Sequence, residues 1–370
     1  MDDQATDLKS LDGVGDHILI GLRRTPVLDE SDRVLLAELR PAGVILFKSN
    51  FRHDLPYEDW LESHARLIAD IRAASGRDKL LIAIDHEGGR VCRTPPPITR
   101  FSYASDWAQQ AAAVGQAMGR ELASLGFNLS FAPVLDIHTN PNNPVIGPRA
   151  FGTTAKAVID AALPFFKALE SENVLACGKH FPGHGDTSVD SHLGLPAQSI
   201  SLEELRAREL KPFTAAMTAG LSMLMTAHIL YPGIDPHLPA TLSHRFLTGL
   251  VREELGFDGV TVTDDIGMGA MKGYFDDPSS AVRLLQAGCD MLMVSAHFTD
   301  SSRARGFAQA ILDAQREGRL DPEQLARSRA RIQKLLAKAR THEVRPLPSE
   351  EFRAHAKVAP LYEAATVEVV

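Results

Sequence analysis

Short apolar runs recur along the chain and are separated by longer segments that mix polar and apolar residues. Each run is apolar at nearly every position, which is typical of strands buried on both faces of a parallel sheet rather than of half-exposed antiparallel strands. We therefore expect helices to cover the sheet. The eight runs are HILIGL (17–22), GVILF (43–47), LLIAID (80–85), NLSFAPVLDI (128–137), ACGKHF (176–181), MLMTAHI (223–229), GVTVTD (259–264) and MLMVSA (291–296).

The segments between these runs contain helix candidates with recognisable start signals. Ser201 begins the sequence SLEEL, a capping-box pattern with Glu204 three residues later, and Thr153 is a second expected N-cap. Helices are expected at about 56–74, 105–125, 154–172, 202–219, 244–255, 278–287, 299–317 and 322–341.

The alternation of strands and helices predicts the fold class. Eight strand–helix units without an internal linker favour an α/β fold with a single (β/α)8 TIM-type barrel over a doubly wound open sheet. We expect this barrel domain to span residues 1–345. The remaining tail, residues 346–370, contains a possible helix at 349–365 that is expected to pack on the barrel exterior.

Composition and charge narrow the classes of function. The 370 residues are 44% hydrophobic and 23% charged, and 39 basic against 47 acidic residues give a net charge of −8. This charge disfavours nucleic acid and anionic membranes as partners. The acidic N-terminus lacks the features of a secretory signal, and Cys92, Cys177 and Cys289 are widely spaced, as expected of reduced thiols. These features predict a cytoplasmic protein.

Polar residues follow many of the predicted strands. In a TIM barrel the active site lies at the carboxyl ends of the strands, so these residues are the first candidates for chemistry. They are the segment Asp85-His86-Glu87, Asp136, the pair Lys179-His180, His228 and the pair Asp264-Asp265.

The segment KHFPGHGDTSVDSHLG (179–194) carries three histidines, two aspartates and a lysine among glycines and a proline. Histidines suit proton transfer near neutral pH. The alternative is a metal site, because the His and Asp residues at positions 180, 184, 186, 190 and 192 resemble the ligands of a TIM-barrel metallohydrolase. Such enzymes usually collect ligands from several strand ends, and strand 1 here has no His-x-His, so proton transfer is the favoured interpretation.

A series of motifs in this chain also resembles a known family. The motifs KHFPGHGDTSVDSH, IDHEGGRVCR (84–93), GVILFKSN (43–50), FAPVLDI (131–137), NPVIGPRAFG (143–152), TDDIGMGA (263–270) and AGCDMLMV (287–294) are similar to those of glycoside hydrolase family 3, over about residues 16–340. The resemblance is to its bacterial β-N-acetylglucosaminidase branch, which acts in peptidoglycan recycling.

The resemblance implies a set of catalytic residues. It assigns Asp264 as the nucleophile of a retaining mechanism and His192, paired with Asp190, as the acid/base. Most glycosidases use two carboxylates for these tasks. Because neighbouring strand residues face opposite ways, Asp265 is expected to cap a turn and not to act as a second catalytic carboxylate.

The resemblance also implies what the protein binds. The substrate would be a saccharide or muropeptide with a terminal β-linked GlcNAc, and no cofactor or metal would be needed.

His86, Pro148, Ala150 and Gly267 depart from the usual pattern of the family, which affects the expected specificity. Rival interpretations are a phosphorylase or β-glucosidase of the same family and a non-catalytic sugar-binding barrel. The implied sugar-binding residues are Asp85, Arg93, Arg149, Lys179 and His180, with His184 and Asp186 bracing the loop.

Overall fold

Eight parallel strands close into a barrel in the computed structural model, which describes residues 13–295 and 300–363. The strands pair in chain order, and the last pairs with the first, so the predicted (β/α)8 TIM-type fold is confirmed. The strands are β1 (Ile18–Gly21), β2 (Gly43–Leu46), β3 (Leu81–Ile84), β4 (Leu129–Ser130), β5 (Leu175–Phe181), β6 (Met223–Thr226), β7 (Val260–Asp265) and β8 (Met291–Val294).

The strands are apolar throughout because both of their faces are buried. Alternate residues such as Leu19 and Val262 belong to a cluster inside the barrel, whereas Ile18 and Ile20 belong to the larger cluster that includes the helices. Consecutive strand residues point to opposite faces, so each run contributes to both clusters. Ile332 and Leu335 of a later helix belong to the inner cluster.

Helices surround the barrel and mostly occupy the expected segments. Ser201 and Glu204 form the predicted capping box. The N-cap expected at Thr153 is instead Thr154, whose hydroxyl accepts from the amide of Ala157. A π-helix spans Arg245–Glu254. The α-helices are α1 (Glu30–Leu39), α2 (Tyr57–Ser75), α3 (Ala104–Trp107), α4 (Ala111–Ser124), α5 (Ala155–Ser171), α6 (Leu202–Ala207), α7 (Leu210–Thr218), α8 (Ser280–Ala287), α9 (Ala304–Arg316), α10 (Pro322–Lys338) and α11 (Ser349–His355).

Several boundaries differ from the sequence-based expectation. Helix α1 was not predicted, although Asp29 caps it by accepting from the amide of Ser31. The run at 128–137 forms only a two-residue strand, after which the chain reaches Asp136 with a single isolated bridge, from Val134 to Lys179. In the described segments, no helix combines the length and apolarity that crossing a bilayer requires.

The C-terminal tail packs against the outside of the barrel through α11. The ring of Phe352 lies 5.5 Å from that of Tyr57, and Arg120 forms an ion pair with Glu351 at 2.5 Å. The helix ends at His355 rather than at residue 365, and residues 364–370 of the predicted tail lie outside the described residues. The domain boundary at residue 345 stays a prediction.

Candidate active site

A cavity of about 330 Å³ opens at the carboxyl ends of the strands. The strand ends deliver charged side chains to this rim, as the barrel topology requires. All eight residues that the resemblance implied as catalytic or sugar-binding line this cavity, together with Glu87 and His184. The eight are Asp85, Arg93, Arg149, Lys179, His180, Asp190, His192 and Asp264.

Asp264 and Asp265 end β7 and occupy different environments. The carboxylate of Asp264 lines the cavity, and its Oδ1 accepts from the amide of Asp265 at 2.8 Å. The carboxyl of Asp265 is buried instead, where it accepts from the amide of Gly267 at 2.8 Å and from the hydroxyl of Ser295. Burial raises the pKa of Asp265 to about 7. Asp265 therefore stabilises a turn, as expected.

Asp190 and His192 form a hydrogen-bonded pair at the edge of the cavity. Oδ1 of Asp190 lies 2.7 Å from Nδ1 of His192 and also accepts from the His192 amide at 2.8 Å. Burial would raise the pKa of Asp190, but these two hydrogen bonds hold it below its ordinary value. Because an ionised carboxylate only accepts, it fixes one proton on Nδ1, so that Nε2 is the ring nitrogen at which this histidine would exchange a proton.

Two glycines allow the loop that carries this pair to lie close to the barrel. A Cβ at Gly185 would lie 1.7 Å from the carbonyl oxygen of Ile137, and one at Gly269 would lie 2.6 Å from that of His192. The amide of Gly269 donates to this same His192 oxygen at 3.1 Å. Gly269 follows β7, so this contact fixes the backbone of His192 beside the end of the strand that carries Asp264.

His184 and Asp186 brace the same loop, as the sequence analysis expected. Nδ1 of His184 lies 2.8 Å from the hydroxyl of Thr187, and its Nε2 lies 3.0 Å from that of Ser191. Burial lowers the pKa of His184 to about 4, so the ring is neutral at neutral pH. Asp186 forms an ion pair with Arg208 at 2.7 Å, which ties the loop to the residues between α6 and α7.

Asp85, Arg93, Arg149 and Lys179 form one charged network with Glu87, in which Glu87, Arg149 and Lys179 are buried and the other two residues are half-buried. Nζ of Lys179 lies 2.7 Å from Asp85 and 2.5 Å from Glu87, and Arg149 forms two hydrogen bonds with Glu87, each 2.8 Å long. Arg93 lies 3.7 Å from Asp85. Burial would raise the pKa of Glu87, but the charges of Arg149 and Lys179 lower it well below its ordinary value. The network therefore holds fixed charges around the cavity.

Asp136 supports His180 from beneath the cavity. Its carboxylate is fully buried, with Oδ2 2.7 Å from Nδ1 of His180 and Oδ1 accepting from the amide of His184 at 2.7 Å. Sequence reasoning placed Glu87 and Asp136 at strand ends but gave neither a role. The signal that could have identified them is their position at or just beyond the ends of apolar runs, where a buried carboxylate would need a partner.

Within residues 13–295 and 300–363, no three His, Cys, Asp or Glu side chains lie close enough together to hold a metal ion. The histidines of the 179–194 segment are instead engaged with carboxylates and hydroxyls. The Asp190–His192 pair and Asp264 line one cavity together with Arg93, Arg149 and Lys179, whose charges are balanced in part by Asp85 and Glu87.

Comparison with known proteins identifies the family. Residues 7–335 match the model for the glycosyl hydrolase family 3 N-terminal domain. The chain belongs to glycosyl hydrolase family 3. It is therefore a glycoside hydrolase, which favours the glycosidase interpretation over a metallohydrolase or a non-catalytic barrel.

This family 3 hydrolase is similar to named hexosaminidases. It is 38% identical over 277 residues to a β-hexosaminidase of Methylococcus capsulatus, covering 73% of the chain and 80% of that protein. It is 36% identical over 335 residues to β-hexosaminidase A of Pseudoalteromonas piscicida, covering 82% of the chain but 54% of that longer protein.

Solved structures show the same similarity. A family 3 β-N-acetylglucosaminidase from Paenibacillus superposes with a TM-score of 0.85 at 34% identity, covering 96% of this chain and 68% of the other. NagZ of Neisseria gonorrhoeae, solved with N-trifluoroacetyl-D-glucosamine, has a TM-score of 0.71 at 32% identity and covers 91% of this chain and 92% of its own.

Glu87 is expected to stabilise this family 3 hydrolase by compensating two buried cations. Replacing it by glutamine leaves Arg149 without its ionic partner and Lys179 with only Asp85. We expect Glu87→Gln to lower the free energy of unfolding by about 3 kcal/mol at pH 7, since breaking a buried ion pair costs roughly this much. Denaturant unfolding monitored by circular dichroism measures the change.

Glu209→Gln is the matched control for Glu87→Gln. Burial raises the pKa of Glu209 to about 7, so its carboxyl is partly protonated at that pH and an amide imitates the protonated form. We expect a smaller loss of stability than for Glu87→Gln, because the ionic partner of Glu209 is Arg208, which is only half-buried, whereas Arg149 and Lys179 are buried. Equal losses in the two variants would show that removal of a buried carboxylate, and not its pairing with Arg149 and Lys179, causes the effect.

Proposed function

We propose that this enzyme is a retaining exo-β-N-acetylglucosaminidase. The observation that carries the proposal is that Asp264 and the Asp190–His192 pair line one cavity with the charged network around Glu87. The names of the hexosaminidases it resembles, and the glucosamine derivative bound to the Neisseria relative, support an N-acetylglucosamine residue as the sugar.

The proposed reaction is a double displacement at the anomeric carbon. The Asp264 carboxylate attacks this carbon while Nε2–H of His192 protonates the departing oxygen, which breaks the glycosidic bond and forms a glycosyl ester. Neutral His192 then removes a proton from water, whose oxygen displaces Asp264. Asp190 stabilises the imidazolium form of His192 at each proton transfer.

Asp85, Arg93, Arg149, Lys179 and His180 are proposed to hold the terminal sugar. Charge-assisted hydrogen bonds to several hydroxyls fix the ring so that its anomeric carbon faces Asp264. As a biological role we propose removal of terminal GlcNAc from muropeptides in the cytoplasm during peptidoglycan recycling. The mechanism requires neither a metal ion nor an organic cofactor.

Release of p-nitrophenol from its β-N-acetylglucosaminide tests this function. We expect turnover that EDTA does not inhibit and that inorganic phosphate does not accelerate, with β-GlcNAc as the first product seen by proton NMR. Formation of GlcNAc 1-phosphate would identify a phosphorylase, and loss of activity with EDTA would identify a metal-dependent enzyme. Faster cleavage of the β-glucoside would identify a β-glucosidase, and no turnover of either glycoside would contradict the proposal.

A further inference from the structure

Asp136 lies behind the cavity and does not line it. Burial would raise the pKa of its carboxyl, but hydrogen bonds from the His180 ring and from the amide of His184 lower it below its ordinary value. The carboxylate is therefore ionised and can only accept hydrogen bonds. Since its Oδ2 lies 2.7 Å from Nδ1 of His180, that nitrogen must carry a proton.

The other ring nitrogen of His180, Nε2, is consequently the one that can form a hydrogen bond with a ligand. His180 lines the cavity, and its Nδ1–H is held by Asp136. In the neutral ring, Nε2 then has a free lone pair and accepts a hydrogen bond. Asp136 thus determines whether His180 acts as an acceptor or as a donor toward the ligand.

Lys179, the preceding residue, has the opposite hydrogen-bonding character. Its ammonium lies 2.7 Å from Asp85 and 2.5 Å from Glu87, and lysine has three donors and no acceptor. Its side chain also lines the cavity. A group bound between Lys179 and His180 must therefore accept from the first residue and donate to the second.

We propose that Asp136 is a positioning residue that makes the Lys179–His180 pair specific for a hydroxyl group. A hydroxyl both accepts and donates, whereas a fluorine atom in its place cannot donate to Nε2. A site that hydrogen-bonds a hydroxyl rejects analogues that leave its polar groups unpaired. The inference rests on the proposed sugar-binding function of the cavity and adds how one sugar hydroxyl is recognised.

Asp136→Asn is expected to exchange the donor and acceptor nitrogens of the His180 ring with little change in side-chain shape. The amide oxygen can still accept from the backbone of His184, which the carboxylate now does at 2.7 Å. The amide NH₂ group then faces Nδ1 of His180 and favours the tautomer with the proton on Nε2. We expect kcat/KM on p-nitrophenyl β-N-acetylglucosaminide to fall roughly 10- to 100-fold, as for other residues that orient a functional histidine.

The decisive readout is the penalty for replacing a hydroxyl by fluorine. We would compare kcat/KM for the parent glycoside and its 3-, 4- and 6-deoxyfluoro analogues in the wild type and in Asp136→Asn. At one of these positions the penalty should be smaller in the variant. There Nε2 of His180 carries a proton and donates, so it no longer needs a hydroxyl on the sugar to donate to it. Dividing the fluorine penalty of the variant by that of the wild type cancels the electronic effect of fluorine on the reaction. The same division cancels a general loss of activity.

Nitrogen-15 NMR of the His180 ring tests the tautomer without any substrate, with the signals assigned by their loss in His180→Gln. We expect the proton on Nδ1 in the wild type at neutral pH and on Nε2 in Asp136→Asn. A wild-type ring protonated on Nε2 would overturn the proposal even if the variant does not fold. If the protein cleaves no glycoside, the proposed function fails, whereas the NMR result still decides the role of Asp136.

Asp32→Asn is the matched control. Asp32 is also a buried carboxylate and accepts from the amide of Arg23 at 2.8 Å, but it does not line the cavity. We expect this variant to keep the His180 tautomer and the fluorine penalty of the wild type. An Asp136→Asn protein that loses activity but retains the wild-type fluorine penalty would show that Asp136 has only a structural role.

Discussion

Asp264→Asn is expected to reduce kcat on p-nitrophenyl β-N-acetylglucosaminide on the order of 10⁴-fold or more, since an amide is not a competent nucleophile. The fold should persist, because the Asn side chain has the same shape and its oxygen can still accept from the amide of Asp265, as Oδ1 does now at 2.8 Å. Steady-state kinetics, with thermal unfolding to confirm the fold, measures the effect.

The neighbouring residue provides the control for this prediction. The carboxyl of Asp265 faces Gly267 and Ser295 rather than the cavity, and burial raises its pKa to about 7. We expect Asp265→Asn to retain most of the activity. Near-wild-type turnover in Asp264→Asn would refute its assignment as nucleophile, and an equal loss in both variants would point to a general disturbance at the end of β7.

The strands were predictable because burial on both faces leaves an apolar signal at every position. This signal failed at 128–137, where the run is apolar but only Leu129 and Ser130 are hydrogen-bonded as a strand. The later part of the run is buried but forms only an isolated parallel bridge, between Val134 and Lys179 of β5, instead of a continuous strand. Hydrophobicity reports burial, and backbone pairing must be inferred separately.

Helix α1 shows the opposite failure. Its start signal was present in the sequence, since Asp29 accepts from the amide of Ser31 and Glu30 and Asp32 lie in the first turn. Charged residues occupy much of the segment, so its buried residues Leu35, Leu36 and Leu39 form only a weak pattern. Helix stability here comes from packing against the barrel, which local sequence does not show.

The family resemblance implied the individual residues of the candidate site, and strand order explains only why those at strand ends, such as Asp85, Lys179 and Asp264, meet at one rim. The support for those residues could not be predicted in the same way. Glu87 and Asp136 each contact two groups that are more than 40 positions away in sequence, as in the Asp136–His180 and Glu87–Arg149 pairs. Such partnerships depend on three-dimensional distances, which spacing along one chain does not specify.

His192→Ala is expected to slow cleavage by an amount that depends on the leaving group. An alkoxide must be protonated as it leaves, so kcat/KM for methyl β-N-acetylglucosaminide should fall about 10²- to 10⁴-fold, the usual contribution of general acid catalysis. The p-nitrophenolate ion leaves without a proton, so kcat/KM for the nitrophenyl glycoside should fall much less. Parallel kinetics on the two substrates measure this difference.

The second step gives an independent test of His192. Without a general base, water should attack the Asp264 ester slowly, so the nitrophenyl substrate should give a burst of one equivalent of p-nitrophenol. Azide needs no deprotonation, and we expect it to restore turnover in His192→Ala and to form a β-glycosyl azide. His237→Ala, at an exposed position outside the cavity, should behave as wild type. Equal losses on both leaving groups, without a burst, would assign the proton transfers to another residue.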